Sequence, residues 1–362
     1  MNAIRKNPAR KPVWKMLLLT AGSIAIVMCL QFASLWNRGY TGGGFVRNFV
    51  PYPLLSLKSM DLKYNSFYIA GRANQKIYLG NYTAPLTMLA VTLDLRDSTL
   101  TRINLDSSEN LSLGRIRITV NADAYYVLNG FVPFIYRGDS VPSPPKKISA
   151  IPVYFKDALP AEKDIFILRS ESAKTHRDII IRQSGASGNI KIDTAFLERQ
   201  LDGVFCTDGM LNYSESLGSV IYVYYYRNQY IESDGLLDAV SRYRLIDTTT
   251  KAKIKVSEIR SERTKTLGAP PVTVNRRSSV SNDWLYIQSG LLADNQPRDD
   301  FKYYEVMDVY YLPTHQYRFS FYLPLERGQH ITSFAIFGRT LVVLYGQYLF
   351  VYEVSPRALA VE

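Results

Sequence analysis

The sequence predicts an all-β domain built by radial repetition of four-stranded sheets, preceded by one transmembrane helix. Three observations carry this. Met16 to Trp36 (MLLLTAGSIAIVMCLQFASLW) contains no charge and follows five basic residues, Arg5, Lys6, Arg10, Lys11 and Lys15. From Leu54 onward the chain reads as short strands almost without interruption. These strands recur in sets of four within about fifty residues, the period expected of radially repeated sheets.

The apolar segment has 21 residues. At about 1.5 Å of helical rise each they span roughly 30 Å, the thickness of a bilayer's hydrocarbon core. The first fifteen residues hold five basic side chains and no acidic one, whereas Asn37 to Leu54 holds only Arg38 and Arg47. This asymmetry sets the amino terminus in the cytoplasm and everything after Trp36 outside it, with Trp14 and Trp36 at the two interfaces. A cleaved signal would have a shorter apolar core and a small-x-small site, and Gln31 is a poor fit to the site ending at Ala33. An uncleaved signal anchor is therefore expected, though a cleaved signal would export the same domain. Met28 stands where lipidation of Cys29 would require a small residue. The expected organisation is a cytoplasmic basic tail (1–15), a transmembrane signal anchor (16–36), a flexible tether (37–48) containing GYTGGG, a repeated-sheet domain (49–355) and a carboxyl-terminal tail (356–362). In a bacterium this places the domain in the periplasm, on the outer face of the inner membrane.

The net charge is +11, and without the five amino-terminal basic residues the exported part carries +6. Nucleic-acid binding needs clustered cations. Lys251, Lys253 and Lys255 instead alternate along one stretch, and Arg276 and Arg277 form only a pair, so no nucleic-acid partner is expected. Cys29 and Cys206 are the two cysteines. One lies in the membrane segment and the other between apolar neighbours, so a disulfide is not expected and Cys206 reads as a buried, inert thiol.

Phe67 to Ala70, Lys76 to Leu79 and Thr87 to Leu95 are rich in aromatic and β-branched residues and are punctuated by Gly71, Gly80 and Pro85. The closest helical pattern in the domain, Thr194 to Leu201, makes only about two turns. There are 27 tyrosines against 16 phenylalanines, a balance suited to sheets whose side chains have an apolar body and a hydroxyl that reaches water or a carbonyl. Val220 to Tyr226 (VIYVYYY) is apolar on both faces at period two, as in a strand covered on both sides.

One set of four strands is Val204 to Tyr213, Ser219 to Glu232, Ala239 to Thr248 and Lys251 to Val256. A second is Pro271 to Val280, Asp283 to Leu292, Tyr303 to Leu312 and Tyr317 to Leu323. Ser241 to Thr250 and Tyr304 to Thr314 each carry an Asp beside a strand end. On this pattern the chain from Leu54 to Val354 resembles the β-propeller superfamily, and is similar to the degenerate, uncharacterised propellers of exported bacterial proteins. It lacks the Trp-Asp dipeptide of WD repeats, the Gly pair of kelch repeats and the Asp box of sialidases. The last three strands, Ile331 to Phe337, Thr340 to Tyr345 and Tyr348 to Val354, lack a fourth. The segment near Phe49 to Leu57 is expected to supply it and close a propeller of about six four-stranded blades. Seven blades also fit the length, and a pair of two-sheet sandwiches is the structural alternative.

No catalytic signature emerges. His176, His315 and His330 lack metal-ligand spacing and each is expected in a loop or at a strand end. Gly185 to Gly188 (GASG) lacks the fifth residue and following helix of a nucleophile elbow and reads as a hairpin tip. Propeller glycosidases hold Asp and Glu together in the central funnel, which makes Asp208, Asp247, Asp283 and Asp308 the candidate acids. Asp247 and Asp308 also read as turn caps at equivalent points of a repeated strand, and Asp299 and Asp300 as part of a solvated loop. Three glycosylation triplets, beginning at Asn81, Asn110 and Asn212, do not discriminate function. No catalytic, metal or binding residue and no cofactor is assigned. The expectation is a membrane-anchored, non-catalytic binding or scaffold module for a protein, peptide or glycan partner. The alternatives are an exported hydrolase or lyase using funnel carboxylates, or a structural subunit of a membrane complex. Protease added to spheroplasts should digest the domain without lysis, and digestion only after lysis would overturn the topology.

Overall fold

The computed structural model describes residues 10–37, 43–105, 113–150, 153–162, 164–185, 188–201, 204–259 and 264–360. It falls into two compact units, Met1–Gly42 and Gly43–Glu362. In the first, helix α1 runs Arg10–Asn37, longer at both ends than the apolar segment alone. It is long and apolar enough to cross a membrane, and none of its window Trp14–Gln31 is buried. Thr20 and Ser23 donate their hydroxyls to Met16 O and Leu19 O at 2.9 Å, which satisfies them within the helix, as apolar surroundings demand.

The second unit is nearly all β. Strand β1 is Leu54–Asp61. A first run of four is β2 (Phe67–Ala73), β3 (Lys76–Asn81), β4 (Thr87–Thr92) and β5 (Ser98–Arg102). The second is β6 (Ile116–Val120), β7 (Tyr125–Asn129), β8 (Phe134–Gly138) and β9 (Lys146–Ala150). The third is β10 (Asp157–Glu162), β11 (Ile165–Glu171), β12 (Asp178–Ser184) and β13 (Ile190–Asp193). The fourth is β14 (Gly209–Ser214), β15 (Ser219–Tyr224), β16 (Gln229–Asp234) and β17 (Val240–Arg244). A separate hairpin, β18 (Val256–Ile259) and β19 (Thr264–Leu267), precedes β20 (Asn275–Ser281), β21 (Trp284–Ser289), β22 (Tyr304–Tyr311) and β23 (Gln316–Pro324). The last run is β24 (Ser333–Phe337), β25 (Thr340–Tyr345) and β26 (Tyr348–Val354).

Within each run, neighbours in sequence are antiparallel neighbours in the sheet. The first two runs join through one parallel bridge, Gly71 to Val120, where a Cβ on Gly71 would lie 1.8 Å from Val120 O. β1 pairs antiparallel with β26 from Leu54–Val354 to Asp61–Tyr348, so it completes the last run to four strands. β2 lies against β6 and β24, β14 against β10 and β20, and β20 against β24.

Both sheet faces are buried, and each apolar cluster is shared by two runs. β15 is buried at every residue. On one face Tyr222 and Tyr224 meet Ile167 and Ile180 of the preceding run, and on the other Ile221 and Val223 meet Leu285 and Ile287 of the next. The first run shares a cluster with the last, Ile77 and Leu79 packing with Val342 and Leu344. Buried tyrosine hydroxyls bond to backbone beyond their own runs. Tyr68 accepts from Ile118 N at 2.7 Å and Tyr310 from Ile246 N at 3.1 Å.

Four expectations are corrected. Ser219 to Glu232 is two strands, because Tyr225 to Asn228 is a turn held from outside: Val274 N and Asn275 N both donate to Tyr225 O. Lys251 to Val256 is consequently not the fourth strand, which is β17. Thr194 to Leu201 is not helical; Asp193 caps Ala195 N and Phe196 N, and Phe196 is pinned in the core. The stretch expected as tether is fixed from Gly43, since Thr248 Oγ1 donates to Gly43 O at 2.6 Å. Residues 38–42 of that stretch lie outside the described residues. At the other end Pro356–Leu359 forms a 3-10 turn whose Ala358 and Leu359 pack on the core.

Arg47 is what holds the tether segment down. Its side chain is 0% exposed and its Nε donates to Asp308 Oδ1 at 2.7 Å. Nη2 donates to Asp308 Oδ2 at 3.0 Å and Ser289 Oγ at 2.7 Å, and Nη1 to Leu291 O at 3.0 Å. Beside it, burial pushes the Asp247 carboxyl up to about 6 against the hydrogen bond from Thr249 N, and the Asp308 charge adds to the rise.

Breaking one partner of such a buried pair costs about 3–5 kcal/mol. Arg47→Ala should therefore lower stability by about that amount in urea titration of the full chain in detergent, and Arg47→Lys should recover only part of it. Because the Asp247 carboxyl binds its proton more tightly when folded, its contribution is lost as pH rises from about 4, the unfolded value, to about 6. Asp247→Asn keeps the acceptor for Thr249 and should flatten the fall in Tm over that window. An unchanged Tm profile would show that Asp247 does not carry this linkage.

Candidate functional site

The turns after β2, β6, β20 and β24 converge with the end of β14 on one cavity of about 680 Å3, lined by Asn74, Asn121, Glu215 and Asn282 among others. The segments that lead into β6, β10 and β20 form the opposite mouth. It holds a cavity of about 700 Å3 between Arg115, Arg117, Phe131, Tyr154 and Asp157. Another, of about 640 Å3, is bounded by Tyr225, Tyr226, Arg276 and Arg277.

Local structure places these side chains. Arg115 ends a 3-10 turn (Leu113–Arg115) and Arg117 is the second residue of β6. Arg117 lies 4.5 Å from the Tyr82 ring centroid and 5.6 Å from that of Tyr68, and Arg115 lies 5.8 Å from that of Phe131. Tyr82 comes from the β3–β4 connection, and Tyr225 and Tyr226 from the β15–β16 turn. That turn is held from below by Asn275, whose Nδ2 donates to Tyr224 O and Arg227 O at 2.8 and 3.1 Å. Arg227 stacks 3.6 Å from the Tyr224 centroid.

Arg276 Nη1 meets the buried Glu305 at 3.2 Å. Glu305 also accepts from Gln288 at 2.9 Å and meets His330 at 2.7 Å. Arg277 is half-buried and uses neutral partners, donating to Thr332 O at 3.0 Å and Gln288 Oε1 at 2.9 Å. Burial holds its pKa below the ordinary arginine value despite Glu305, with Arg276 pushing it lower and Tyr225 and Tyr82 opposing. Among the described residues, Arg115, Arg117 and Arg277 have no carboxylate within 4.0 Å.

The acids at this mouth are mostly clamped. Arg169 Nη1 is shared by Asp208 and, at 3.7 Å, by Asp178. Lys156 Nζ meets Asp178 at 2.6 Å and Glu171 at 3.1 Å. Burial opposes the Lys156 charge, but these two carboxylates outweigh it and raise its pKa. Asp157 differs: its side chain is exposed and lines the cavity, its Oδ1 accepts from Ala158 N at 2.9 Å, and among the described residues no cation lies within 4.0 Å of it. Among the described residues no group of three or more His, Cys, Asp or Glu is arranged to hold a metal ion.

Of the candidate acids, only Asp208 reaches this mouth. Asp308 lies inside the third strand of its run and grips Arg47, whereas Asp247 follows the fourth strand of its own and caps Thr249. The two are therefore not equivalent turn caps. Asp283 sits at the β20–β21 turn and accepts from Ser216 Oγ at 2.6 Å. Asp299 pairs with Lys302 at 2.6 Å, and Asp300 accepts from Tyr322 at 2.5 Å. His176 follows β11 near Glu171, and His315 stacks on Tyr243 with 3.5 Å between centroids. Gly185 and Gly188 lie between β12 and β13, with the two residues between them outside the described set. Asn81 is occupied by its own turn, accepting from Thr83 N and Ala84 N. Asn212 Nδ2 donates to Ser278 at 2.8 Å, and the triplet at Asn110 lies outside the described residues. Cys206 is buried and its Sγ accepts from Gln200 N at 3.5 Å, whereas Cys29 lies exposed on α1.

Sequence reasoning missed Lys156, Asp157, Arg169 and Asp178, and treated Arg276 and Arg277 only as a charge pair. A usable signal existed, because Arg115, Lys156, Asp157, Asp208 and Arg276 all fall just before or at the first strand of a run.

No family model matches the sequence, and no curated protein matches it. Among solved structures, a DUF4221 family member from Bacteroides vulgatus is similar, with TM-score 0.54 and 11% identity, over 86% of this chain and 99% of that one. A structural genomics protein of unknown function from Bacteroides thetaiotaomicron matches with TM-score 0.50 and 11% identity, over 83% and 76%. At such identity the likeness carries architecture alone. What the chain shares with these proteins is a β-propeller-type fold.

Proposed function

We propose that the chain is a membrane-anchored, extracytoplasmic propeller of six four-stranded blades that acts as a non-catalytic binding or scaffold module. The pairing of β1 with β26 and the cluster shared by first and last runs support ring closure. The anchor reading rests on α1 and on the basic flank that precedes its apolar stretch. The observation that carries the function is the mouth where the inner strands begin. Exposed aromatic side chains and arginines without acidic partners line it, while Asp178 and Asp208 are held by cations. A face that presents rings and unspent cations is built to bind. A protein, peptide or glycan is the partner class.

Asp157 favours a second reading. An acid that no cation holds, open to a cavity near Asp208, is a feature of exported hydrolases that use funnel carboxylates. The two readings separate on substitution. Phe131 and Tyr154 are exposed, so Phe131→Ala with Tyr154→Ala should leave the fold intact. Tagged full chain recovered from detergent-solubilised membranes should retain a partner that this variant loses. Retention unaffected by the variant would overturn the mouth as the binding face. Turnover of a glycan by the wild type that Asp157→Asn abolishes would replace the binding reading with the hydrolase.

A further inference from the structure

Arg276 and Arg277 are consecutive, and in a regular strand consecutive side chains point to opposite faces. The pairing of β20 with β21 shifts register between Asn275 and Arg277. A bulge of this kind re-aims a side chain, and both arginines line the same cavity of about 640 Å3. One buried link ties their guanidinium groups together. Arg276 Nη1 donates to Glu305 Oε2 at 3.2 Å, Gln288 Nε2 donates to the same oxygen at 2.9 Å, and Gln288 Oε1 accepts from Arg277 Nη1 at 2.9 Å. Gln288 and Glu305 are each 1% exposed, and the other Glu305 oxygen meets His330 at 2.7 Å. Both Nη1 groups are thus spent inward, while among the described residues neither Nη2 has a hydrogen-bond partner. Two cations share one carboxylate, so one positive charge stands unmatched at the cavity.

The β15–β16 turn supplies the opposite wall. Tyr225 and Tyr226 are half-buried and line the cavity with ring centroids 6.0 Å apart. Val274 N and Asn275 N, just ahead of the arginines, hold that turn through Tyr225 O, so one stretch of chain sets both the rings and the cations. No acidic side chain is among the residues that line this cavity. Asp208, whose carbonyl accepts from Tyr225 N at 3.1 Å, keeps its carboxylate on Arg169. An incoming carboxylate would supply the missing counter-charge through charge-assisted hydrogen bonds. With Glu305 behind the arginines, a single negative charge is favoured over a run of them. A uronic-acid ring carries one carboxylate and an apolar C–H face on the same rigid unit, whereas an acidic side chain carries its charge on a flexible stem and costs more to order.

We propose that this cavity seats one uronic-acid residue of an oligosaccharide, its carboxylate on Arg276 and Arg277 and its ring against Tyr225 and Tyr226. The assignment rests on the binding-module reading and names its ligand class.

Titration calorimetry of the full chain in detergent tests it, with a trimer of galacturonic acid, its carboxyl-reduced neutral counterpart, benzoate and triglutamate as probes. The acidic trimer should bind, and the reduced trimer should bind at least about tenfold more weakly. Arg277→Gln should weaken the acidic trimer about tenfold or more and leave the reduced one unchanged. Val272 is 42% exposed on the cavity wall, so its variants carry the test if Arg277→Gln does not fold. Val272→Glu should weaken the acidic trimer about tenfold by like-charge repulsion, and Val272→Gln should not. Equal binding of acidic and reduced trimers, no binding of either, benzoate or triglutamate bound as tightly as the acidic trimer, or acidic binding untouched by Val272→Glu would each overturn the proposal. A membrane partner retained by a chain that binds no uronate would leave the binding module standing and remove only this ligand.

Discussion

A sheet that is apolar on both faces has to be covered on both, and the rest of the β unit follows from that constraint. Central strands such as β7, β15 and β25 carry almost no polar face, and fully buried side chains of the Leu, Ile and Phe kind are worth about 1.5–3 kcal/mol each only when both faces are dry. Each run therefore shares one cluster with the run before it and another with the run after it. Ile77 and Leu79 of the first run share a cluster with Val342 and Leu344 of the last, and the β1–β26 pairing lends the last run a strand from the start of the unit.

Tyrosine is the residue through which this packing becomes specific. Its ring fills the cluster while its hydroxyl bonds to backbone outside its own run of strands, as Tyr68 does to Ile118 N and Tyr224 to Glu198 N at 2.9 Å. Such bonds occupy backbone groups that the irregular connections would otherwise leave unpaired in the interior. They also fix how adjacent sheets sit on one another, which apolar contact alone leaves loose. Arg47 plays the corresponding part for the amino-terminal segment. It ties that segment to the fifth run through Asp308, and the chain then passes on to form β1.

The candidate mouth illustrates how the same residue types serve opposite ends. Asp178 and Asp208 sit on cations and are committed to holding the third and fourth runs together at Arg169. Arg277 donates its hydrogen bonds to neutral oxygens, with the Glu305 charge acting on it from beyond direct contact. Catalysis by a carboxylate pair requires an acid and a base whose environments differ and whose charges are not already neutralised. Only Asp157 approaches that state.

Much of the fold was legible because its signals are local. The charge-free segment after a basic flank, the four-strand set from Pro271 to Leu323 and the three terminal strands all follow from hydropathy and turn residues, and their observed bounds differ by a few residues. Legibility failed where tertiary contacts overrode local pattern. Pro160 hid β10, an edge strand whose register shifts just after the proline. The turn at Tyr225 to Asn228 has no Gly or Pro and exists because Asn275 and Val274 hold it from the next run. Thr194 to Leu201 has a helical pattern, yet Asp193 and the core position of Phe196 bend it otherwise. The site was the least legible part, since Arg117, Phe131, Tyr154 and Asp157 are separated in the chain and line one cavity only when neighbouring runs are brought side by side. The sequence alone determined the long apolar helix, the all-β class and the repeat, because each depends on residues close together in the chain. The partners of Arg47 and Arg169, and the arginines left without one, were decided by tertiary structure, because an ion pair is fixed by distances in space that no sequence spacing encodes.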